Sequence, residues 1–259
     1  MKPLFLFFSL FLFAALLGQT VPNKSDANKL VNARYQQPTW LINLSYKAAI
    51  PSGSLALRYG FMNGTGLDFY YKSKNNFLWG LNTCLFFGSN VNGIDYINIF
   101  KDANGYLFAN DGNPLNITAS MRGSQLLGVV GKLIPGFHQK KPQLSILLEC
   151  GVGFLQHKYL FNAPNTLQFS KEYLKGYDRL SNGLALTQEI GLCNFGLNRL
   201  INFNIGIEVT EAFTRNRRYY DYATGGTDTK SYADILYSLK CSWLLPISSQ
   251  DKKQPLYFK

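Results

Sequence analysis

The chain has 259 residues, a formal net charge of +11, 16% charged and 15% aromatic residues. Its cations are dispersed along the chain rather than gathered into a stripe, which argues against a nucleic-acid partner. After the amino-terminal segment no apolar run is long enough for a transmembrane helix, and the two histidines and four cysteines show no metal-ligand spacing.

The first segment, Met1 to Gly18, is a short basic start (Lys2) followed by the apolar run Leu4 to Leu17. It is too short to span a bilayer comfortably and reads as a secretory signal peptide, cleaved before Gln19. Residues 19–38 then form a polar periplasmic tail, residues 39–247 the folded domain and residues 248–259 a second short tail.

Within 39–247 eight stretches alternate apolar and polar side chains with period two, the pattern of strands with two unlike faces. Strand one is Trp40 to Ala49, with Trp40, Ile42, Leu44 and Tyr46 on the bulky face and Asn43, Ser45 and Lys47 on the other. Strand two, Gly66 to Lys72, sets Leu67, Phe69 and Tyr71 against Asp68, Tyr70 and Lys72. Strand three, Phe77 to Gly88, sets Trp79, Leu81, Leu85 and Phe87 against Gly80, Asn82 and Cys84. Strand four, Ser124 to Ile134, has the weakest pattern; Leu127, Val129 and Leu133 are read as its bulky face and Gly128, Val130 and Lys132 as its small or polar one. Strand five, Gln143 to Phe154, opposes Ile146, Leu148, Cys150 and Val152 to Leu147, Glu149, Gly151 and Gly153. Strand six, Gly183 to Asn194, has Leu184, Leu186, Ile190 and Leu192 against Thr187, Glu189 and Gly191. Strand seven, Ile201 to Glu211, has Phe203, Ile205, Ile207 and Val209 against Asn204, Gly206, Glu208 and Thr210. Strand eight, Ile235 to Leu245, has Tyr237, Leu239, Cys241 and Trp243 against Ser238, Lys240 and Ser242.

The connections alternate in length. Ser73 to Asn76, Pro135 to Pro142 and Phe195 to Leu200 are short, whereas Ile50 to Thr65, Ser89 to Arg122, Leu160 to Asn182 and Ala212 to Tyr232 are long. Tight turns on one side and long loops on the other predict an all-β, eight-stranded antiparallel up-and-down transmembrane β-barrel in the outer membrane, with periplasmic turns and termini. A lipocalin-like soluble barrel has no reason for that one-sidedness. In lipid the sheet must close on itself and turn its bulky face outward. Eight strands leave an interior that side chains fill, and Gly80, Gly128, Gly151, Gly153, Gly191 and Gly206 are the small residues expected to face it.

The expected lumen charges are Lys47, Lys132 and Lys240 against Asp68, Glu149, Glu189 and Glu208. Isolated charges there would be costly, so they are expected to pair, Glu149 beside Lys132 and Lys240 beside Glu208. Cys84 and Cys193 should point in and Cys150 and Cys241 out, which leaves four free thiols rather than disulfides. Trp40, Trp79 and Trp243, with Tyr71 and Phe77, fall at the periplasmic ends of their strands, and Phe87 and Phe154 toward the other end, as two interfacial girdles.

The long loops carry basic and aromatic residues that predict an interaction surface: Lys171, Lys175, Tyr177 and Arg179 in one, Arg215, Arg217, Arg218, Tyr219 and Tyr220 in another. Their Arg and Lys suit lipopolysaccharide phosphates, and their Tyr and Arg suit a docked protein partner. No catalytic group, cofactor site or metal site is expected. The remaining enzymatic reading is a lipid-A-modifying one built on His157, which parity points inward at the outer mouth near Ser181; His138 falls in a periplasmic turn.

The segments GVVGKLIP (Gly128 to Pro135), KGYDRLSNG (Lys175 to Gly183) and SLKCSWLLPI (Ser238 to Ile247) resemble those of small outer-membrane barrels of Bacteroidota, of PorT-like or OmpA-barrel-like type. The resemblance implies a monomeric barrel in the cell envelope, some of whose relatives serve secretion and gliding machinery. No carboxy-terminal peptidoglycan-binding domain of the OmpA sort is expected after the eighth strand.

Overall fold

A strand buried in lipid leaves no backbone group without a partner only if each edge is paired. The computed structural model meets that condition with one closed sheet, in which each wall strand pairs with the next along the chain and the last with the first. It describes residues 37–92, 107–108, 114–115, 118–135, 144–162, 174–195, 202–222 and 224–247. The expected signal peptide, almost all of the first tail, the second tail, His138 and Lys171 lie outside the described residues.

The eight wall strands are β1 (Thr39–Gly53), β2 (Met62–Lys72), β3 (Phe77–Gly88), β6 (Thr118–Pro135), β7 (Leu144–Asn162), β8 (Ser181–Asn194), β9 (Phe203–Asn216) and β10 (Ser231–Ile247). A two-residue ladder, β4 (Leu107–Phe108) with β5 (Pro114–Leu115), lies in the loop between β3 and β6. Every wall pair is antiparallel, and β1 closes the ring on β10 from Trp40↔Ile247 to Gly53↔Asp234. Both ends of the wall therefore lie on the side of the short turns. The β2–β3 turn is tight because Asn76 takes a positive φ of 62°, which lets its N–H donate to the Ser73 carbonyl and the Ser73 N–H to that of Phe77.

The bulky face points outward, as the alternation predicts. Trp40, Trp79 and Trp243 are exposed on the wall, Trp40 at 61%, along with Leu44, Leu81, Val152, Phe154, Ile190 and Ile207. Trp40 and Tyr71 pack ring to ring with centroids 5.0 Å apart near the short-turn end. Along β7 the outward apolar run extends from Leu144 to Phe154. At about 3.4 Å per residue and a tilt near 40°, it covers roughly 25 Å, the height of an outer-membrane apolar band.

One strand has the opposite facing from that expected. In β6 Leu127, Val129 and Leu133 are buried in the lumen, while Gly128, Val130 and Lys132 face out. Both faces of this segment are apolar, so parity alone carries little information, and the lysine misleads. Lys132 sits at the short-turn end, where it snorkels along the wall with Nζ 4.8 Å from the centre of the exposed Phe77 ring. It does not belong to the lumen, and Gly128 is not among the inward glycines.

The interior is filled in layers. Leu41, Leu78, Leu133, Leu147 and Leu244 form an apolar layer toward the short turns. The charged layer follows. Above it Ala49, Met62, Phe86, Leu155, Ala185 and Leu236 make a second apolar layer. Gly80 gives the Tyr70 ring its place in the charged layer, since a Cβ there would stand 2.8 Å from the ring and 2.1 Å from the Phe69 carbonyl.

Candidate functional site

Three polar assemblies occupy the barrel axis from the middle to the long-loop end. The first is the charged layer. Lys47, on β1, and Lys240, on β10, are fully buried and face each other across a register pair. Lys47 Nζ lies 2.6 Å from Glu208 Oε1 and donates to Gln125 Oε1 at 3.2 Å. Lys240 Nζ lies 2.8 Å from Glu189 Oε2, 3.7 Å from Glu208 Oε2 and 3.8 Å from Asp68 Oδ2. Gln125 passes the network on to Thr210 and Asn204 donates to Glu189. Six of the seven lumen residues expected from the sequence are thus brought together: Lys47, Asp68, Glu149, Glu189, Glu208 and Lys240. The missing one, Lys132, was the expected partner of Glu149. In its place the Tyr70 hydroxyl donates to Glu149 Oε1 at 3.2 Å. Among the described residues Glu149 has no ion pair within 4.0 Å.

The second assembly closes the mouth. His157 does point inward and stands opposite Ser181 in the β7–β8 register. Its Nε2 is 3.0 Å from Asp234 Oδ2, and its Nδ1 is 3.4 Å from the Tyr59 hydroxyl. Thr214 donates to the same Asp234 oxygen at 2.5 Å. Ser181 accepts from Arg58 Nη1 at 3.0 Å and donates to the Arg179 carbonyl at 3.1 Å. Arg58 also lies over the Tyr232 ring, 4.5 Å from its centre. It comes from the first long loop, which folds back over the mouth through a 3-10 turn, Leu55–Leu57, and buries Leu55 and Tyr59. Asp234, Thr214, Arg58 and Tyr59 were not among the expected site residues. The parity of strand eight, extended by one residue beyond Ile235, would have found Asp234.

The third assembly is the lid of the two basic loops. Arg218 grips Asp178 through both Nε and Nη2. Arg179 Nε is 2.9 Å from Asp221 Oδ2, and Tyr177 meets Tyr222 edge to face at 5.4 Å. Arg217 Nε donates to Asn182 Oδ1 at 2.5 Å. The expected interaction surface is therefore divided. Arg179, Arg218 and Tyr177 hold the loops to each other, whereas Lys175, Arg215, Arg217, Tyr219 and Tyr220 remain at the surface, Tyr219 at 90% exposure.

All four cysteines are free thiols, Cys84 and Cys193 buried and Cys241 exposed, as their facing predicts. Among the described residues no group of three or more His, Cys, Asp and Glu side chains is arranged to hold a metal, and no helix is long and apolar enough to cross a membrane.

An eight-stranded up-and-down ring, apolar outside and filled with polar side chains, has the architecture of a transmembrane β-barrel. No family model and no curated protein matches the chain. Among solved structures it is similar to Ail, the attachment invasion locus protein of Yersinia pestis, in complex with the heparin analogue sucrose octasulfate. That alignment has 11% identity and a TM-score of 0.40, and covers 81% of this chain and 99% of Ail. It is also similar to the outer membrane protein OprG from Pseudomonas aeruginosa, with 11% identity, a TM-score of 0.36 and coverage of 81% of this chain and 97% of OprG.

Proposed function

We propose that the protein is an integral outer-membrane β-barrel with a structural or envelope-assembly role, open to service as an accessory of a secretion complex, and without catalysis. The observation that carries this is the union of an exposed apolar wall with a lumen crossed by successive layers of buried side chains. The wall has no other solvent in which it is stable, and the packed lumen leaves no path for solutes. In this reading the short turns and both ends of the wall face the periplasm, and the long loops face outward.

The outer collar gives the surface its partner chemistry. Above Phe154 the outward positions of the wall turn polar, with Arg122, Gln156, Lys158, Asn182 and Arg215 in place of Leu and Val. Guanidinium and ammonium groups just above an aromatic edge suit lipopolysaccharide phosphates. The exposed Tyr219 and Tyr220 suit a protein partner. A lipid-modifying reaction at His157 is disfavoured by position, because that imidazole is 1% exposed inside the ring and acyl chains are outside it.

Heat-modifiable migration of the membrane-extracted protein on a gel, followed by gentle pull-down and mass spectrometry, tests the reading. The expected result is a compact form that shifts on boiling and a stable set of envelope partners. A water-soluble product whose migration ignores heat would overturn it. In the same cells His157→Ala is expected to leave the lipid A mass profile unchanged, and an altered profile would restore the enzyme.

A further inference from the structure

Between the charged layer and the leucine layer beneath it the lumen encloses a cavity of about 10 Å³. Four side chains that line it, Asn43, Glu149, Asn204 and Ser242, are exposed at only 6%, 6%, 2% and 5%. Each has an oxygen with no hydrogen-bond partner in the protein: Asn43 Oδ1, Glu149 Oε2, Asn204 Oδ1 and Ser242 Oγ. A native interior leaves only a few such atoms in about 100 residues, and here four of them line one cavity.

The orientation of Asn204 is fixed by its neighbours. Its Nδ2 donates at 2.6 Å to Glu189 Oε1, whose other oxygen holds Lys240. Rotating the amide by half a turn would set two oxygens against each other. The Asn204 carboxamide oxygen therefore rests over Gly191, where an added Cβ would stand 2.4 Å from it. An alanine at 191 would push it out of place.

Amide and carboxylate oxygens accept hydrogen bonds but cannot give them. A single water offers two protons and the Ser242 hydroxyl a third, which would meet the three acceptors but leave a carboxylate there without a counter-charge. A cation satisfies them all at once. The electrostatics agree: Lys47 and Lys240 face Asp68, Glu149, Glu189 and Glu208, so the layer has two carboxyl groups more than it has ammonium groups. Lys240 lines the cavity, but its charge is held by Glu189, Glu208 and Asp68. Tyr70 is occupied with the other oxygen of Glu149, and Lys72 lies near the short turns, 5.8 Å from the Phe195 ring.

We propose that this cavity binds one monovalent metal cation of about the size of sodium, held by Glu149 Oε2, the amide oxygens of Asn43 and Asn204, and Ser242 Oγ. The volume is that of roughly one water, which leaves no room for a hydrated ion. A single carboxylate with three neutral oxygens is too little charge for calcium or magnesium, which take hard-oxygen shells richer in carboxylate or water.

The test uses the full barrel, refolded in detergent in sodium, potassium or choline chloride at equal ionic strength and pH. Refolding lets the ion enter while the wall closes. A ligand bound only by the folded state raises the midpoint of thermal unfolding. The expected result is a midpoint several degrees higher in sodium than in choline, saturating with sodium concentration and lost in Glu149→Gln. Ser242→Ala removes one oxygen without touching charge and is expected to raise the half-saturating sodium concentration roughly tenfold. If Glu149→Gln fails to assemble, Ser242→Ala alone decides. Equal midpoints in sodium and choline would overturn the proposal, as would a sodium effect that both variants keep. A midpoint that follows pH but not sodium would place a proton on Glu149 and overturn it equally.

Discussion

Lys47 shows what a buried charge costs when it is left alone. Its ammonium sits 2.6 Å from Glu208 with no access to solvent. Lys47→Met would leave Glu208 leaning on Lys240 alone, and removing one member of a buried pair costs about 3–5 kcal/mol. Replacing both members, Lys47→Met with Glu208→Gln, is expected to recover much of that loss, because no stranded charge remains. Urea unfolding midpoints of the refolded barrels check the order: wild type, then double variant, then single variant. These two residues were legible from parity because each lies amid a clean alternation. Lys132 was not. Its strand is apolar on both faces, and a lysine at the edge of an apolar band reaches water along the wall as readily as it would pair inside. Tyr70 took the expected place of Lys132 beside Glu149, and no spacing rule encodes a partner three strands away across a lumen.

The strands are longer than their alternation. Sequence marks β7 as ending at Phe154, but the ladder runs to Asn162, and β6 begins at Thr118 rather than Ser124. Periodicity is visible only where the two faces meet unlike surroundings. Below Phe154 one face meets lipid and the other the lumen. Above it polar groups enter both faces, as in Gln156, His157 and Lys158, and the period fades while the hydrogen bonds continue. The same blindness hid Asp234 and Thr214, and with them the partners of His157. It also made the basic loops read as free surface, although Arg218 and Arg179 are spent on Asp178 and Asp221. Arg218→Glu should therefore act first on the lid. Repulsion from Asp178 is expected to open residues 174–180 and 217–222 to protease on intact cells, while heat-modifiable migration of the wall stays as in the wild type. Unchanged proteolysis would show that the ion pair does not hold the lid.

At the scale of the molecule, strand number, up-and-down order, which face is outside and the positions of the tryptophans were all readable from pattern and loop rhythm. What was not readable is the packing along the axis. Layers form from residues far apart in the chain, and their heights depend on the stagger between strands. That packing has a direct consequence for transport. With Leu41, Leu78, Leu133, Leu147 and Leu244 across one end of the lumen and Arg58, Tyr59 and Leu55 across the other, the barrel is expected to show no conductance steps in planar bilayers. Steps that persist in the wild type would mean that the layers part in the membrane.

The charged layer lies between two apolar layers inside a wall that has no open edge. Small ions are expected to exchange with such an interior mainly when strands separate, and core openings are the rarest of a protein's local unfolding events. The composition of that layer is thus set once, when the last strand closes the ring. Two molecules of identical sequence, folded in media of different acidity or salt, would keep different interiors long afterwards. Each barrel would then carry a chemical record of the medium in which it was assembled.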